Sequence, residues 1–437
     1  MSIIKQSEAI PERSFGIDVA EIRLAWRILV VGVIGLSVAP SVVFLYSFGS
    51  LTLPLQAAFG WSRPQLQLAL SFFFGGVIVA FLVVGWLNRR WGMRRVTVLS
   101  LIGTAIIWGS FPFIGNSIWW LYALAFVAPI VGMGTQQLTW SNLVVLWFER
   151  NRGLALSVIF CGTALTASVY PPVLAWLINR WSWQIGFAFL AIVPVVVVLP
   201  LTLCWFKVPG EVLRESSAAP GEALGRQSGL SYADGIRATR YWVLVAAISL
   251  ASAASLSMVS FAVPLLRDKG FSAVDAAAIV SAYGIAVLTS RPLVGYLVDR
   301  LWAPAVLSFV ILLPALACAI LATSGQEEST MLVIAMVLLG IGTGAEVDTA
   351  AYLVSRYFGT CDFGRLFGTL ASCSSFACML APLLFSRMYA STGGYTSSLI
   401  VCSAFCSAAS ALLLTLGRYP KFQRSVFDGG RNMVNAT

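Results

Sequence analysis

Apolar runs of about 20 residues alternate with short polar breaks along nearly the whole chain. At 1.5 Å per helical residue, such a run matches a hydrocarbon core about 30 Å thick. The runs are continuous rather than alternating, so they predict helices and not barrel strands. Twelve spans are predicted, near 25–49, 65–87, 96–114, 119–148, 153–178, 184–206, 241–266, 273–297, 303–323, 330–357, 364–388 and 394–416. One long polar interruption, containing Glu211, Arg214, Glu215, Pro220, Glu222, Arg226 and Asp234, divides them six and six. The predicted organisation is an N-terminal segment 1–24, a six-helix bundle 25–206, a linker 207–240, a second bundle 241–416 and a tail 417–437.

The two bundles repeat each other. Gly60, Ser62, Ser71, Gly85, Leu87, Arg90, Gly132, Gly134, Phe148, Leu156 and Pro172 find identical partners at Gly270, Ser272, Ser281, Gly295, Leu297, Arg300, Gly342, Gly344, Phe358, Leu366 and Pro382. The offset is constant (270 − 60 = 382 − 172 = 210). An even number of spans per copy keeps the copies parallel, so a pseudo-twofold axis along the membrane normal is expected to relate them. The fold class is therefore an all-α membrane protein of twelve transmembrane helices in two pseudo-twofold-related six-helix bundles.

Composition agrees: 59% of residues are hydrophobic, 11% are charged and the mean hydropathy is +0.86, whereas soluble domains are about a quarter charged. The net charge of +10 does not point to nucleic acid, because 22 of the 28 Lys and Arg fall on the side expected to be cytosolic. That bias predicts both termini inside. A multi-pass protein of the cell membrane, monomeric and surrounded by lipid, follows as the expectation. The mixed charges of residues 1–24 give no cleavable signal peptide, and the eight Cys include no CxxC pair. The chain has no His, and neither a cofactor nor a metal is expected.

The loop after span two reads Gly85-Trp-Leu87-Asn-Arg89-Arg90-Trp-Gly92, and its copy reads Gly295-Tyr-Leu297-Val-Asp299-Arg300. These segments resemble the Gly-x-Leu-x-Asp-Arg-x-Gly signature of the major facilitator superfamily. Arg89 stands where that signature has Asp, and Trp302 stands where it has its second Gly. The resemblance implies that Gly85, Arg90, Gly295, Asp299 and Arg300 act in gating at the cytosolic mouth. A narrower resemblance is to the monocarboxylate and oxalate/formate branch. It rests on Phe59-Gly60-Trp61-Ser62-Arg63, Arg152-Gly153-Leu154-Ala155-Leu156, Ser290-Arg291-Pro292 and Arg356-Tyr357-Phe358-Gly359. It implies that Arg291 contacts a substrate carboxylate. The branch's span-one Lys and span-eight Asp are replaced here, near Tyr46 and at Val287.

Only three ionisable residues fall well inside predicted spans: Arg291, Glu346 and Asp348. Each costs about 2.5–3.5 kcal/mol at a helix centre on insertion scales, so each needs a cavity or a partner. A guanidinium offers a fixed fork to a carboxylate and stays charged at any accessible pH. A fixed ion pair stapling span eight to span ten is the alternative for Arg291, and Asp348 is the partner at matching depth. Glu346 and Asp348 lie about 200° apart around one helix and cannot face the same way. Either is a candidate proton carrier, Glu346 the better one if Asp348 pairs with Arg291. Further wall residues are expected at Tyr46, Gln136, Trp140, Asn142, Tyr170 and Tyr283. The serines of spans seven and eleven are read as close-packing residues.

Together these readings predict secondary transport of a small organic anion, a monocarboxylate, by proton symport with alternating access of the two halves. The alternative is organic anion exchange, or export of an amphipathic compound. An enzyme is not expected, since no nucleophile–base set or metal-ligand cluster is present.

Overall fold

Helices enter and leave the membrane at residues that the two halves share. The computed structural model describes residues 17–208, 229–325 and 328–420, so most of the predicted N-terminal segment, linker and tail lies outside the described residues. Gly60 ends one helix in the left-handed region (φ 71°), and Ser62 caps the next through the N–H of Gln65. The same turn recurs 210 residues later, with Gly270 at φ 98° and Ser272 accepting from Asp275 N–H at 3.1 Å. A glycine that tolerates positive φ, followed by a serine cap, makes a sharp stop and restart.

Twelve spans result. Spans two, three and five are Arg63–Trp91, Met93–Ser110 and Arg152–Arg180, and span seven is Thr239–Asp268. Spans eight, nine, eleven and twelve are Ala273–Arg300, Ala303–Thr323, Phe363–Thr392 and Thr396–Leu414. Eleven described helices are long and apolar enough to cross a membrane, and the shorter Ile118–Val131 begins the remaining span. A six-residue helix, Tyr232–Arg237, precedes span seven.

Four spans expected to be continuous are not. Span one is two segments, Val19–Ser37 and Pro40–Phe59, because Pro40 lacks an N–H and holds Ala39 extended (ψ 130°). Span four is Ile118–Val131 and Gln137–Trp147, joined by a 3₁₀ turn at Met133–Thr135. Span ten is Ser329–Gly344 and Glu346–Phe358, separated at Ala345. Span six runs Trp183–Val193 and Leu199–Trp205 around a π turn that starts at Pro194. The breaks in spans four and ten sit at equivalent positions, since Gln136 and Glu346 differ by 210. Span three repairs the first of them: Ser100 accepts from Gly134 N–H at 2.9 Å, and Thr97 donates to Gly134 C=O at 3.1 Å. Such repair is required where water is excluded.

The halves meet along two helix pairs, span two with span eleven and span five with span eight. Both pairs close at the end of the molecule that carries the chain termini, here called the basic face. A Cβ on Gly85 would lie 2.6 Å from the Gly364 carbonyl oxygen, and one on Gly295 would lie 2.7 Å from that of Gly153. Backbones can approach this closely only without side chains between them. On span eight the contact is lost toward the opposite, distal end. Gly284 is seven residues before Arg291 on the same side of span eight, yet a Cβ there would meet nothing within 4 Å. The cleft between the halves therefore opens distally.

Candidate functional site

Arg291 sits where spans five and eight begin to part. Its Nη1 donates to the Phe160 carbonyl of span five at 2.7 Å and lies 3.6 Å from Asp348 Oδ1 of span ten. The guanidinium also rests 5.6 Å from the Phe160 ring centroid. This arrangement leaves capacity unused: among the described residues Nε has no partner, and neither oxygen of Asp348 makes a well-aligned hydrogen bond, although the Ser157 hydroxyl is within reach. The Asp348 side chain is 2% exposed and that of Arg291 is 11% exposed, so the charges are nearly dry. At 3.6 Å the pair attracts without a good hydrogen bond, and only the arginine keeps some exposure.

Glu346 begins the inner segment of span ten and points the other way. It accepts from Ser252, and from Ser255 at 3.2 Å, both on span seven. The reading of these serines as packing residues is corrected: they are the donors that make a carboxyl group tolerable inside the C-terminal half. The N-terminal half repeats the device without charge. Ser41 of span one donates to Gln136 Oε1 at 2.5 Å, while Gln136 Nε2 is buried and without a partner among the described residues.

Tyr46 of span one comes from the N-terminal half, yet its hydroxyl lies within electrostatic reach of Arg291. It is 40% exposed although it faces the opposite half, which places it on the cleft wall. Tyr283 of span eight accepts from Thr343 Oγ1 at 3.1 Å and lies within reach of Tyr46, Arg291 and Glu346. Arg291, Asp348, Tyr46, Tyr283 and Thr343 thus form one group at the closed end of the cleft.

Other expected wall residues lie elsewhere. Trp140 is fully buried, donates to Thr135 C=O at 2.9 Å and stacks where a Cβ on Gly35 would strike its ring. It packs span four against span one, behind the wall. Tyr170 is buried with its ring edge-on to Phe189 at 5.6 Å, inside the N-terminal half. Asn142 lies against Gly364, where a Cβ would sit 3.2 Å from Nδ2, so it belongs to the closure between spans four and eleven.

That closure has two latches. Asp299, at the end of span eight, accepts from the N–H groups of Gly153 at 2.7 Å and Leu154 at 2.9 Å, so a C-terminal-half carboxylate caps an N-terminal-half helix. Arg89, at the equivalent end of span two, forms an ion pair with Asp362 at the start of span eleven. Sequence reasoning missed Asp362. The available signal is its place 210 residues after Arg152: the two positions carry opposite charge, as do Arg89 and Asp299. Arg152 binds Phe148 C=O, Val145 C=O and, across the interface, Ser355 Oγ at 3.3 Å. Arg300 stacks on Tyr296 at 3.9 Å and lies 3.8 Å from Asp299. Arg90 is corrected as a gate contact, because it is exposed and rests on the ring of Trp86 in its own span, at 5.7 Å.

The family model of the Major Facilitator Superfamily matches residues 34–325 and 245–432. Among curated relatives, monocarboxylate transporter 13 of Bos taurus is 27% identical over 277 residues, 62% of this chain and 62% of its own length. The chain thus spans less than two thirds of that relative. The gallate transporter of Pseudomonas putida is 23% identical, covering 76% of this chain and 82% of its own. The uncharacterized MFS-type transporter YcxA of Bacillus subtilis is 22% identical over 85% of this chain and 90% of its own. Solved structures of similar fold include a variant of the Escherichia coli fucose:proton symporter FucP, with TM-score 0.68 and 14% identity over 91% of this chain and 99% of that one. The proton:xylose symporter XylE has TM-score 0.69 and 14% identity over 92% and 97%.

Proposed function

Because the chain belongs to the major facilitator superfamily and is a transporter, we propose that it carries a small organic anion, a monocarboxylate, in symport with a proton. The observation that carries this reading is the half-satisfied guanidinium of Arg291 at the closed end of a distally open cleft, held at 3.6 Å by Asp348. A substrate carboxylate would use the part of the guanidinium that the side chain's 11% exposure leaves open to the cleft, with the Tyr46 hydroxyl as a second donor. A carboxylate ligand and Asp348 compete for one cation. Protonating Asp348 removes the competition and lets the loaded carrier cross with its buried charges balanced. The names of the monocarboxylate and gallate transporters agree with an acidic substrate class. The Lys and Arg bias puts the basic face in the cytosol, so the distally open state would load from outside.

Counterflow in proteoliposomes tests the reading: labelled monocarboxylate is expected to accumulate transiently against an unlabelled internal pool. Arg291→Ala removes one charge-assisted contact, about 1.5–3 kcal/mol, and should weaken apparent affinity by roughly 10–100-fold. Undiminished counterflow in that variant would remove Arg291 from the binding role.

A further inference from the structure

A second site lies outside the cleft, at the edge of the basic face. Leu82, Val83 and Trp86 of span two face Arg365 and Thr369 of span eleven and Tyr232 of the short helix across an open groove. Two stripes build it. Leu82, Trp86 and Arg90 follow at i, i+4 and i+8 on one helix, and Arg365 and Thr369 follow at i and i+4 on the other. The lower part is apolar and exposed, Leu82 at 51% and Trp86 at 49%. The upper part is cationic. Arg365 lies 4.1 Å over the Tyr232 ring and Arg90 lies 5.7 Å from the Trp86 ring, and neither has a carboxylate partner among the described residues. Tyr232 is fixed there by Thr369 at 3.1 Å and by its N–H to Asp362 at 2.9 Å.

We propose that this groove binds the phosphate headgroup of an anionic phospholipid, with an acyl chain lying along Leu82 and Val83. Three observations favour a lipid over a soluble anion. The apolar floor continues down a membrane-spanning helix, a tryptophan marks the headgroup level, and Arg365 lines the groove while Arg90 stands at its rim against that tryptophan. A small anion would use the cations and leave the exposed apolar stripe without an occupant. The occupant would touch both halves, span two on one side and span eleven on the other. It fits only while those spans are adjacent at the basic face, so its binding favours that state over one in which they separate.

Purified, delipidated protein titrated with phosphatidylglycerol or phosphatidylcholine, followed by native mass spectrometry, tests the site. Retention of phosphatidylglycerol in preference to phosphatidylcholine is expected, and glycerol phosphate or inorganic phosphate alone should not compete at equal concentration. The Arg90→Gln/Arg365→Gln variant should bind phosphatidylglycerol roughly 30-fold more weakly, about fivefold per arginine, while Arg180→Gln on the distal face should not change it. A photoactivatable phosphatidylglycerol cross-linked to wild-type protein should label peptides spanning 82–90 or 365–369, which keeps the test valid if the double variant does not fold. Equal binding by the double variant, equal retention of both lipids, labelling confined to other peptides, or displacement by free phosphate would each overturn the proposal. None of these readouts depends on transport.

Discussion

Asp348 has the Ser157 hydroxyl of span five within reach but makes no well-aligned hydrogen bond among the described residues, and its ion-pair partner is the arginine that a substrate would also need. Glu346 is supplied by two serines of span seven and points away from Arg291. That difference separates the roles of the two acids. Asp348→Asn keeps the shape and removes the titration. It is expected to lower uptake driven by a pH gradient at least roughly tenfold, while leaving counterflow at equal pH within a few fold, the pattern expected when coupling is lost and binding retained. Parallel loss of both activities would assign Asp348 to binding or folding instead. The three charged residues of the interior stand out in the sequence because charge is rare at that depth. Their neighbours do not. Trp140 reads as a wall aromatic until Gly35, more than a hundred residues away, is seen to open a slot for its ring.

At the scale of the helix, the two latches differ in strength for a physical reason. The Arg89 side chain is 62% exposed, so its ion pair with Asp362 contributes at most about 1 kcal/mol. Asp299 is 1% exposed and takes two backbone N–H groups, each a charge-assisted bond of about 1.5–3 kcal/mol. Distance measurements between spin labels at the basic ends of spans two and eleven, and of five and eight, should rank the variants. Asp299→Ala should open the basic face more than Arg89→Gln. The exchanged pair Arg89→Asp with Asp362→Arg should restore the closed distance that Arg89→Asp alone loses; failure of the exchange would mean that the pair does not hold the gate. The constant offset of 210 makes the bundles and this correspondence of positions legible. The helix breaks are hidden, because hydropathy stays high through residues 119–148 and 330–357 and does not register a change of backbone angle. Asp299's partners are hidden for a related reason: they are main-chain donors, which every sequence has everywhere.

At the scale of the whole molecule, the observed state is closed on the basic side and open on the distal one. A cycle moving one proton with one monocarboxylate transfers no net charge, so the term of about 2.3 kcal/mol per charge per 100 mV vanishes. Uptake into vesicles should follow an imposed pH gradient and respond little to a potassium diffusion potential; a steep dependence on potential would contradict one-to-one symport. Bulk at the crossing point offers an independent handle. A side chain at Gly295 would collide with the Gly153 carbonyl and with Ser157, so Gly295→Leu should hold the halves apart at the basic face and slow return of the carrier.

The carboxylate of Asp299 plugs two amide hydrogens at the mouth of a helix in the other half, and it leaves with its own half when the two swing apart. Liquid must then enter to serve Gly153 and Leu154, so each turnover draws solvent into a seam that was dry. Turnover should therefore slow under osmotic stress from an excluded polymer, by a factor that shrinks once Asp299 is replaced by alanine.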